Sequence, residues 1–531
     1  MRNSTVQPHR LAWIAWLAVA VAVFGIALAV RIRLLTMPLE RDEGEYAYAG
    51  QLMLEGIVPY KLVYNMKFPG TYGAYALIMS IFGQTITAIH VGLLIVNAAT
   101  VWLIFLLGRR LVDPIAGLSA AASYAVLSLS PSVLGLAAHA THFVVLPVVA
   151  GTLLLLIRSA RRVLGRVFLS GLLFGFAVLM KQPAIFFALF AVTCLLFQRS
   201  GRRHFKQLST HILVFAAAVI VPFALTCALF WCLGVFDKFW FWTIQYGREY
   251  ATLVPLSQVG HVFTNAITPI IGAAWALAVI GLLSGLWNAP GRGTTVLVLW
   301  LLICSFLALC SGFYFRPHYF ILLLPALSLL IGITTTTLSR IGGSKTLWPI
   351  PLFFCVVGFG VALFSERKLL FQDSPVEACG TIYPSSPFPE SIRIAEYLRA
   401  HAEPTDTIAV LGSEPQIYFY AKRHSATGYI YMYGLMEVQK YARKMQAEME
   451  REIEAARPKF LLSVVVQDSW LSRPESDRQI FAWADEYTGK NYDVVGFVNL
   501  VAPGRSDYYF DEIPASVPQL GQYILIYKRK S

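Results

Sequence analysis

The sequence predicts a polytopic α-helical membrane protein with an α/β domain outside the membrane at its C-terminal end. The 531-residue chain is 57% hydrophobic and only 14% charged, whereas soluble domains carry roughly 25% charged residues. Apolar runs long enough to cross a bilayer recur between Leu11 and Phe364. From about Gln372 onward the composition becomes that of a globular domain. These three observations together define the fold class.

The apolar runs divide into about eleven predicted transmembrane helices. Lys181-Gln182-Pro183 separates two short spans, because proline disfavours helix at the residue before it. The predicted spans are 11–35, 84–108, 111–131, 142–158, 167–181, 183–198, 209–234, 263–287, 294–314, 318–338 and 347–365.

Basic residues cluster in alternate connections between these spans, and the positive-inside rule places the clusters in the cytoplasm. Loops 36–83 and 235–262 and all residues after 366 then lie outside. This orientation predicts a multi-pass protein of the inner (plasma) membrane. The basic clusters are Arg109-Arg110, 158–166, 199–206 and 340–345.

The net charge of +13 comes largely from these loops, so it does not indicate nucleic acid as a partner; membrane lipids are the expected surroundings. Six of the seven cysteines lie in apolar segments, and the chain has no Cys-x-x-Cys. The sequence therefore predicts neither a disulfide framework nor a thiolate metal site.

Two domains are predicted, with a boundary after residue 368. Residues 1–368 form the transmembrane domain and include outer loop 36–83, and residues 369–531 form the extracytoplasmic α/β domain. The second domain contains no glycine-rich phosphate-binding loop. Its predicted strands are 407–411, 459–466, 492–499 and 522–528, and its predicted helices are 389–402, 435–456 and 475–487.

The outer loops contain two membrane-surface candidates. Residues 45–55 are predicted to form an amphipathic helix that lies along the membrane surface. Loop 235–262 is rich in aromatic residues, which favour the membrane–water interface. These aromatic residues are Trp240, Trp242, Tyr246 and Tyr250, with Arg248 and Glu249 among them.

The segment Arg41-Asp42-Glu43-Gly44-Glu45-Tyr46 directly follows the first span. Ionised groups beside hydrocarbon are kept mainly where they pair or take part in chemistry. A carboxylate of Asp42 or Glu43 can accept a proton from a hydroxyl nucleophile. The alternative is that these acids only cap a helix, since Asp is a good N-cap.

Three cations are candidates for binding a phosphate: Lys67 in Lys67-Phe68-Pro69-Gly70, Lys181 at the break between two spans, and Arg316 in Arg316-Pro317-His318-Tyr319. Lysine offers a compact charge and arginine a bidentate one. The alternative for each is an ordinary basic side chain that reaches the membrane interface.

His139 and His142 have a spacing that places them on one face of a helix. A metal site would need more ligands, and the chain has no Asp or Glu between Asp113 and Asp237. Hydrogen bonding to a substrate or to the backbone is therefore favoured over a metal role.

Three stretches together resemble motifs of the GT-C fold of integral-membrane glycosyltransferases. They resemble the bacterial branch of family 39, the dolichyl-phosphate-mannose–protein mannosyltransferases, and are similar to the lipid A aminoarabinose transferases. The likeness extends over residues 1–365. The stretches are residues 42–48, residues 67–70, and residues 316–319 followed by Leu324-Pro325-Ala326.

The resemblance implies transfer of a sugar, with inversion, from a polyprenyl-phosphate donor to a glycan, lipid or protein acceptor on the extracytoplasmic side. Asp42 would be the general base with Glu43 beside it, and Lys67, Arg316 and Lys181 would neutralise the donor phosphate. No cofactor is implied, and the missing second outer-loop acid argues against a divalent metal. Candidate substrate contacts are Tyr46, Tyr48, His139, His142, His318 and Arg248.

Two other functions are compatible with the sequence. A transporter or flippase of a lipid-linked glycan would carry polar residues near the membrane midplane and often internal repeats, whereas here the polar motifs lie in outer loops and no repeat is evident. An inactive assembly subunit would use the outer domain to bind partners, and substitution of Asp42 would not affect it.

Overall fold

The computed structural model describes residues 7–157, 162–197, 205–287, 292–340, 348–502, 504–513 and 521–530. The chain divides into two compact units. The first comprises Met1–Arg33, Val91–Ala228 and Val254–Phe371, and the second comprises Leu34–His90, Leu229–Leu253 and Gln372–Ser531. The predicted domain boundary after residue 368 stays a prediction, because compactness is a different criterion from membrane embedding.

Each of the eleven predicted spans is a helix, and two of the spans, at Lys181, are separated as predicted. Lys181 ends one helix with an extended backbone, and a 3₁₀ turn follows at Gln182–Ala184. The helices are Gln7–Arg33, Ile86–Leu111, Pro114–Leu127, Ala140–Leu156, Val163–Met180, Ile185–Phe197, Phe205–Cys232, Ala273–Trp287, Arg292–Leu309, Leu324–Arg340 and Pro349–Ser365.

Within the described residues, six helical segments have the length and apolar composition needed to cross a membrane. The other five predicted spans are shorter apolar helices of 10–17 residues. The chain is therefore a multi-pass membrane protein. The six segments are Arg10–Arg33, Ile86–Leu111, Val163–Met180, Lys206–Cys232, Arg292–Leu309 and Pro317–Ser339.

Three of the predicted basic clusters, at 158–166, 199–206 and 340–345, lie partly outside the described residues.

Among the described helices of the first unit, Pro114–Leu127 and Ile86–Leu111 approach closely at a glycine. A Cβ on Gly117 would lie 2.6 Å from the carbonyl oxygen of Phe105. Small residues at such contacts allow helices in membranes to pack backbone against backbone.

The second unit contains a five-stranded sheet with strands β1 (Ile408–Leu411), β2 (Phe460–Val465), β3 (Tyr492–Ala502), β4 (Arg505–Phe510) and β5 (Tyr523–Arg529). The strand order is β1-β2-β5-β3-β4. β1 and β2 are parallel, and the remaining pairs are antiparallel. The four predicted strands are confirmed. β4 was not predicted: the first half of this edge strand is polar, and none of its residues is buried.

The predicted helices of the second unit are also present. Residues 389–402 and 475–487 correspond to Phe388–His401 and Gln479–Asn491. The predicted helix 435–456 is interrupted, because Glu437 has an extended backbone. The unit's helices are Arg41–Leu54, Gly70–Phe82, Phe236–Trp240, Phe241–Tyr246 (a π-helix), Gly247–Ala251, Pro375–Ile382, Phe388–His401, Gln416–Ala421, Tyr433–Met436, Ala442–Ala456, Gln467–Trp470 and Gln479–Asn491.

The helix Arg41–Leu54 corrects one prediction. It begins before Glu45, and nearly every residue from Arg41 to Leu52 is buried, so protein covers it on all sides and no amphipathic face is exposed. Its position along the membrane stays a prediction. It packs against Gly70–Phe82 and Gln416–Ala421. The contact with the second of these is so close that a Cβ on Gly44 would lie 2.6 Å from the backbone nitrogen of Gln416.

The aromatic residues predicted at the membrane interface pack mostly inside the second unit. Trp242 and Tyr246 are buried, whereas Trp240 is exposed. Trp242 stacks on Tyr64 with ring centroids 5.7 Å apart, and the Tyr246 hydroxyl donates to Glu437 Oε2 at 2.5 Å. These rings therefore join segments of the protein to each other.

Candidate active site

Lys67 lies between two carboxylates in the second unit. Its Nζ is 2.8 Å from Asp42 Oδ1 and 2.7 Å from Glu45 Oε2. Asp42 and Glu45 are three residues apart on helix Arg41–Leu54, so both project from one helical face. The Tyr60 hydroxyl donates to the Lys67 carbonyl at 2.7 Å and fixes the loop that carries the lysine. The sequence-predicted pair Asp42 and Lys67 is thus brought together.

Asp42 keeps part of its side chain, 13%, exposed. Its Oδ1 also accepts a hydrogen bond of 3.1 Å from the Tyr431 hydroxyl. Asp42 is not the helix cap, because Glu40 occupies that position. It is therefore a partly accessible carboxylate whose orientation is set by a lysine and a tyrosine.

Glu45 is the inner member of the cluster and is fully buried. It accepts hydrogen bonds from Asn65 Nδ2 at 2.9 Å and from the Tyr72 hydroxyl. Burial raises the pKa of Glu45, and the charge of Lys67 opposes that rise. Burial would lower the pKa of Lys67, but its carboxylate neighbours outweigh this effect and raise it well above its usual value.

Glu45 was not among the predicted site residues, although its spacing from Asp42 could have suggested it. Glu43, which was predicted as catalytic, has the contacts of a structural residue. Glu40 and Glu43 form a capping box at the helix N-terminus. Glu43 is fully buried, and its Oε1 lies 3.1 Å from His90 Nε2. We therefore do not include Glu43 in the catalytic assignment.

The three predicted substrate contacts in this unit differ in how far their side chains are buried. The Tyr46 ring is buried, with Lys67 Nζ 4.6 Å from its centroid, so it supports the lysine. Tyr48 is fully buried and accepts a 2.7 Å hydrogen bond from the Ser425 N–H. Its hydroxyl is therefore engaged by the backbone, and its role as a substrate contact stays a prediction. Arg248 is exposed in helix Gly247–Ala251.

In the first unit, Lys181, His318 and His139 are brought together. Lys181 Nζ lies 3.5 Å from His318 Nε2 and 3.9 Å from the centroid of the Tyr319 ring. The His318 and His139 rings stack with centroids 4.1 Å apart and an interplanar angle of 12°. The three side chains come from three separate elements. His139 precedes helix Ala140–Leu156, Lys181 precedes the 3₁₀ turn Gln182–Ala184, and His318 lies in the first turn of the 3₁₀ helix Pro317–Leu323.

Arg316 is half-buried, with its guanidinium 5.6 Å from the centroid of the Tyr314 ring. The residues just before it are strained, since Phe313 and Phe315 both have positive φ, 56° and 46°. Bulky residues rarely adopt this conformation, and such strain is concentrated at functional sites.

His142 is buried near the start of helix Ala140–Leu156. The preceding loop is held by Arg31, whose Nη2 donates to the carbonyl oxygens of Ser128 at 2.8 Å and Gly135 at 3.3 Å. Arg31 was not predicted as a site residue. The available signal was an arginine inside the predicted span 11–35, since charged residues within apolar spans are rare.

Comparisons with known proteins agree with this architecture. Residues 69–226 match the family model described as dolichyl-phosphate-mannose-protein mannosyltransferase. Two relatives from Pseudomonas aeruginosa, strains LESB58 and UCBPP-PA14, are 28% and 29% identical over 374 and 364 residues. Both are named undecaprenyl phosphate-alpha-4-amino-4-deoxy-L-arabinose arabinosyl transferase. The matches span 63% of this chain and 63% of each relative.

Two solved structures share the fold at 14% sequence identity. ArnT from Cupriavidus metallidurans bound to undecaprenyl phosphate has a TM-score of 0.58, with 94% of this chain and 99% of that chain covered. The archaeal oligosaccharyltransferase AglB from Archaeoglobus fulgidus, in complex with an inhibitory peptide and a dolichol-phosphate, has a TM-score of 0.52, with 94% and 75% covered.

The chain is therefore an integral-membrane protein of the GT-C fold. Over residues 69–226 the chain resembles the dolichyl-phosphate-mannose-protein mannosyltransferase family, and it is similar to the two arabinosyl transferases, which confirms the resemblance predicted from the three sequence motifs.

Proposed function

We propose that this protein is a glycosyltransferase that moves a sugar from a polyprenyl phosphate to an acceptor on the extracytoplasmic side of the membrane. The names of its relatives and the undecaprenyl phosphate bound in the ArnT structure support this donor class. The observation that carries the proposal is the partly exposed Asp42 carboxylate, 2.8 Å from Lys67 Nζ.

In the proposed reaction Asp42 is the general base. It accepts the proton of the acceptor hydroxyl while that oxygen forms a bond to the anomeric carbon. The bond between this carbon and the phosphate oxygen breaks, and the polyprenyl phosphate leaves with the electron pair. A single displacement of this kind inverts the anomeric configuration. Phosphate is a stable leaving group, so the reaction needs neither a general acid nor a cofactor.

The roles of the three candidate cations are assigned from the groups that each one already contacts. Lys67 contacts two carboxylates, so its best-supported role is to hold Asp42 ionised rather than to bind the donor phosphate. Lys181 lies against the Tyr319 ring and the His318 ring, and Arg316 is half-buried nearby in sequence. We assign the phosphate role to Lys181 and Arg316, because electrostatic stabilisation of the departing anion is a large catalytic term.

The proposal is tested with purified protein in liposomes and a panel of radiolabelled polyprenyl-phosphate sugars, with and without a metal chelator. Release of sugar from the lipid is expected for the wild type in both conditions and is expected to be lost in Asp42→Asn. Asp406→Asn is the matched control, because Asp406 pairs with Lys459 in the α/β sheet region.

Full activity of Asp42→Asn would remove Asp42 as the base. If no donor is consumed even when cell-extract acceptors are supplied, the glycosyltransferase assignment fails. Movement of labelled lipid across the bilayer without glycosidic chemistry would then favour the transporter alternative.

The phosphate assignment has its own test. Lys181→Met is expected to raise the KM for the donor by about tenfold, which corresponds to the loss of roughly 1.4 kcal/mol of binding. Lys368→Met is the control, since Lys368 is an exposed lysine of the same unit. An unchanged donor KM and kcat in Lys181→Met would exclude this lysine from phosphate binding.

A further inference from the structure

The α/β segment of the second unit supplies a side chain to Asp42. The Tyr431 hydroxyl donates to Asp42 Oδ1 at 3.1 Å, and its ring centroid lies 5.3 Å from Lys67 Nζ. Tyr431 therefore contacts both members of the ion pair, although 389 positions of the sequence separate it from Asp42.

The position of Tyr431 is fixed by its neighbours. Its ring packs edge-to-face on Tyr433, with centroids 4.8 Å apart. The Tyr433 hydroxyl accepts from Arg41 Nη1 at 2.8 Å and donates to the Asp468 carbonyl at 2.7 Å. Arg41 also forms a buried ion pair of 2.9 Å with Glu414. Arg41 and Asp42 are adjacent, so the helix is fastened to the same segment that carries Tyr431.

We propose that Tyr431 is a positioning residue for Asp42, so that the C-terminal segment completes the active site. This inference rests on the proposed function, in which Asp42 is the general base. The hydroxyl fixes the orientation of the carboxylate and favours its ionised form, because a hydrogen bond donated to a charged carboxylate stabilises that form.

Other groups of this unit contribute to the charge balance at Asp42. Lys67 contacts it directly and shares its charge with Glu45. Other titratable groups of the unit that interact with Asp42 electrostatically include Glu40, Tyr75 and Tyr383, and Glu43 is its neighbour in the chain. None of these is changed by a substitution at Tyr431.

The test compares Tyr431→Phe with Tyr429→Phe in the full-length protein. The first substitution removes only the hydroxyl that reaches Asp42. The second removes an equivalent tyrosine–carboxylate bond, from Tyr429 to Glu448 at 2.6 Å, in the same segment. Protonation of Asp42 is followed as the pH dependence of carbodiimide labelling, which requires a protonated carboxyl group, by peptide mass spectrometry.

The labelling midpoint of Asp42 is expected to rise by about one pH unit in Tyr431→Phe and to stay constant in Tyr429→Phe. The acid limb of the kcat profile should move upward by the same amount while the donor KM is unchanged. A merely structural tyrosine would alter stability without moving the midpoint, so an unmoved midpoint overturns the proposal.

If Tyr431→Phe does not fold, Tyr431→3-fluorotyrosine replaces it. This phenol is a stronger hydrogen-bond donor, so the midpoint is expected to fall, and a rise or no change would overturn the proposal. The labelling experiment needs no turnover. A wild type that consumes no sugar would therefore refute the proposed function, while the midpoints would still show whether Tyr431 controls the ionisation of Asp42.

Discussion

Lys67 and Glu45 form an ion pair in which Nζ lies 2.7 Å from Oε2 and the carboxylate is fully buried. The lysine side chain itself is 22% exposed, so the pair runs from the protein interior toward Asp42. Glu45 thus anchors the inner side of a lysine whose other contact is the proposed base.

Lys67→Met is expected to destabilise the protein by about 3–5 kcal/mol, because it leaves a buried charge without its partner. Glu45→Gln introduced into the same chain should recover part of this loss, since it removes the uncompensated charge. The free energy of unfolding in detergent, measured with denaturant for both single variants and the double variant, checks the coupling. Simple additivity of the two single effects would contradict the ion pair.

The buried carboxyl of Glu45 should also produce a pH dependence of stability. Its pKa is raised above the ordinary value of 4.5, mainly by burial. The folded state therefore holds this proton more tightly than the unfolded state, and the stability that the proton contributes is lost as the pH rises through the raised pKa.

Glu45→Gln removes this titration. The difference in unfolding free energy, wild type minus Glu45→Gln, should be most favourable to the wild type at acidic pH and should decline as the pH rises above 4.5. Denaturant unfolding of both proteins over the same pH series measures the difference. A difference that stays flat or grows with pH would show that the pKa of Glu45 is not raised.

Glu43→Gln separates the two adjacent acids. Glu43 belongs to the capping box and faces His90, so this variant should lose about 1 kcal/mol of stability and keep kcat within about twofold of wild type. Initial rates of sugar release from the donor, beside those of Asp42→Asn, check this. Loss of activity in a Glu43→Gln protein with wild-type stability would return Glu43 to the catalytic assignment.

Gly44→Ala tests the close contact between helices Arg41–Leu54 and Gln416–Ala421. The added Cβ would meet backbone of Gln416 at 2.6 Å, and overpacking of this kind costs about 1–3 kcal/mol. Gly73→Ala is the matched control, because a Cβ there meets nothing within 4 Å and alanine favours the helix. Thermal stability in detergent should fall for the first variant only; equal behaviour of the two would refute the contact.

Tyr48→Phe distinguishes a structural tyrosine from a substrate contact. The variant removes the oxygen that accepts from the Ser425 N–H and leaves that buried donor unpaired, which costs about 1–3 kcal/mol. We expect lower stability with the KM values for donor and acceptor unchanged, determined from steady-state rates. A selective rise in either KM would show that Tyr48 contacts the substrate.

Much of the fold follows from the sequence because its signals are local. Apolar runs predicted the eleven long apolar helices among the described residues, and the proline after Lys181 predicted the break that the structure has. The buried strands β1, β2 and β5 have apolar cores that can be recognised without their neighbours. By contrast, β4 pairs with β3 at the edge of the sheet, and its half-polar sequence, in which no residue is buried, carries a weaker signal.

In the site, too, residues with a local sequence signal were predicted, and residues that depend on distant partners were not. Asp42 and Lys67 were recognised because charges are rare beside apolar segments, and the structure places them 2.8 Å apart. Tyr431 could not be recognised, because its only link to Asp42 is a contact across 389 positions of the sequence. The burial of helix Arg41–Leu54 on all sides was missed for the same reason, since the partners that bury it, such as Gln416, are distant in the chain.

The discontinuous second unit has a consequence for biogenesis. Its three stretches, Leu34–His90, Leu229–Leu253 and Gln372–Ser531, are separated by helices of the membrane region. During synthesis Asp42 emerges long before Tyr431 and Glu414, and loops closed over such distances form late. A nascent or truncated chain can therefore insert its helices while it still lacks the surroundings of Asp42, and maturation of the site should follow completion of the polypeptide rather than membrane insertion.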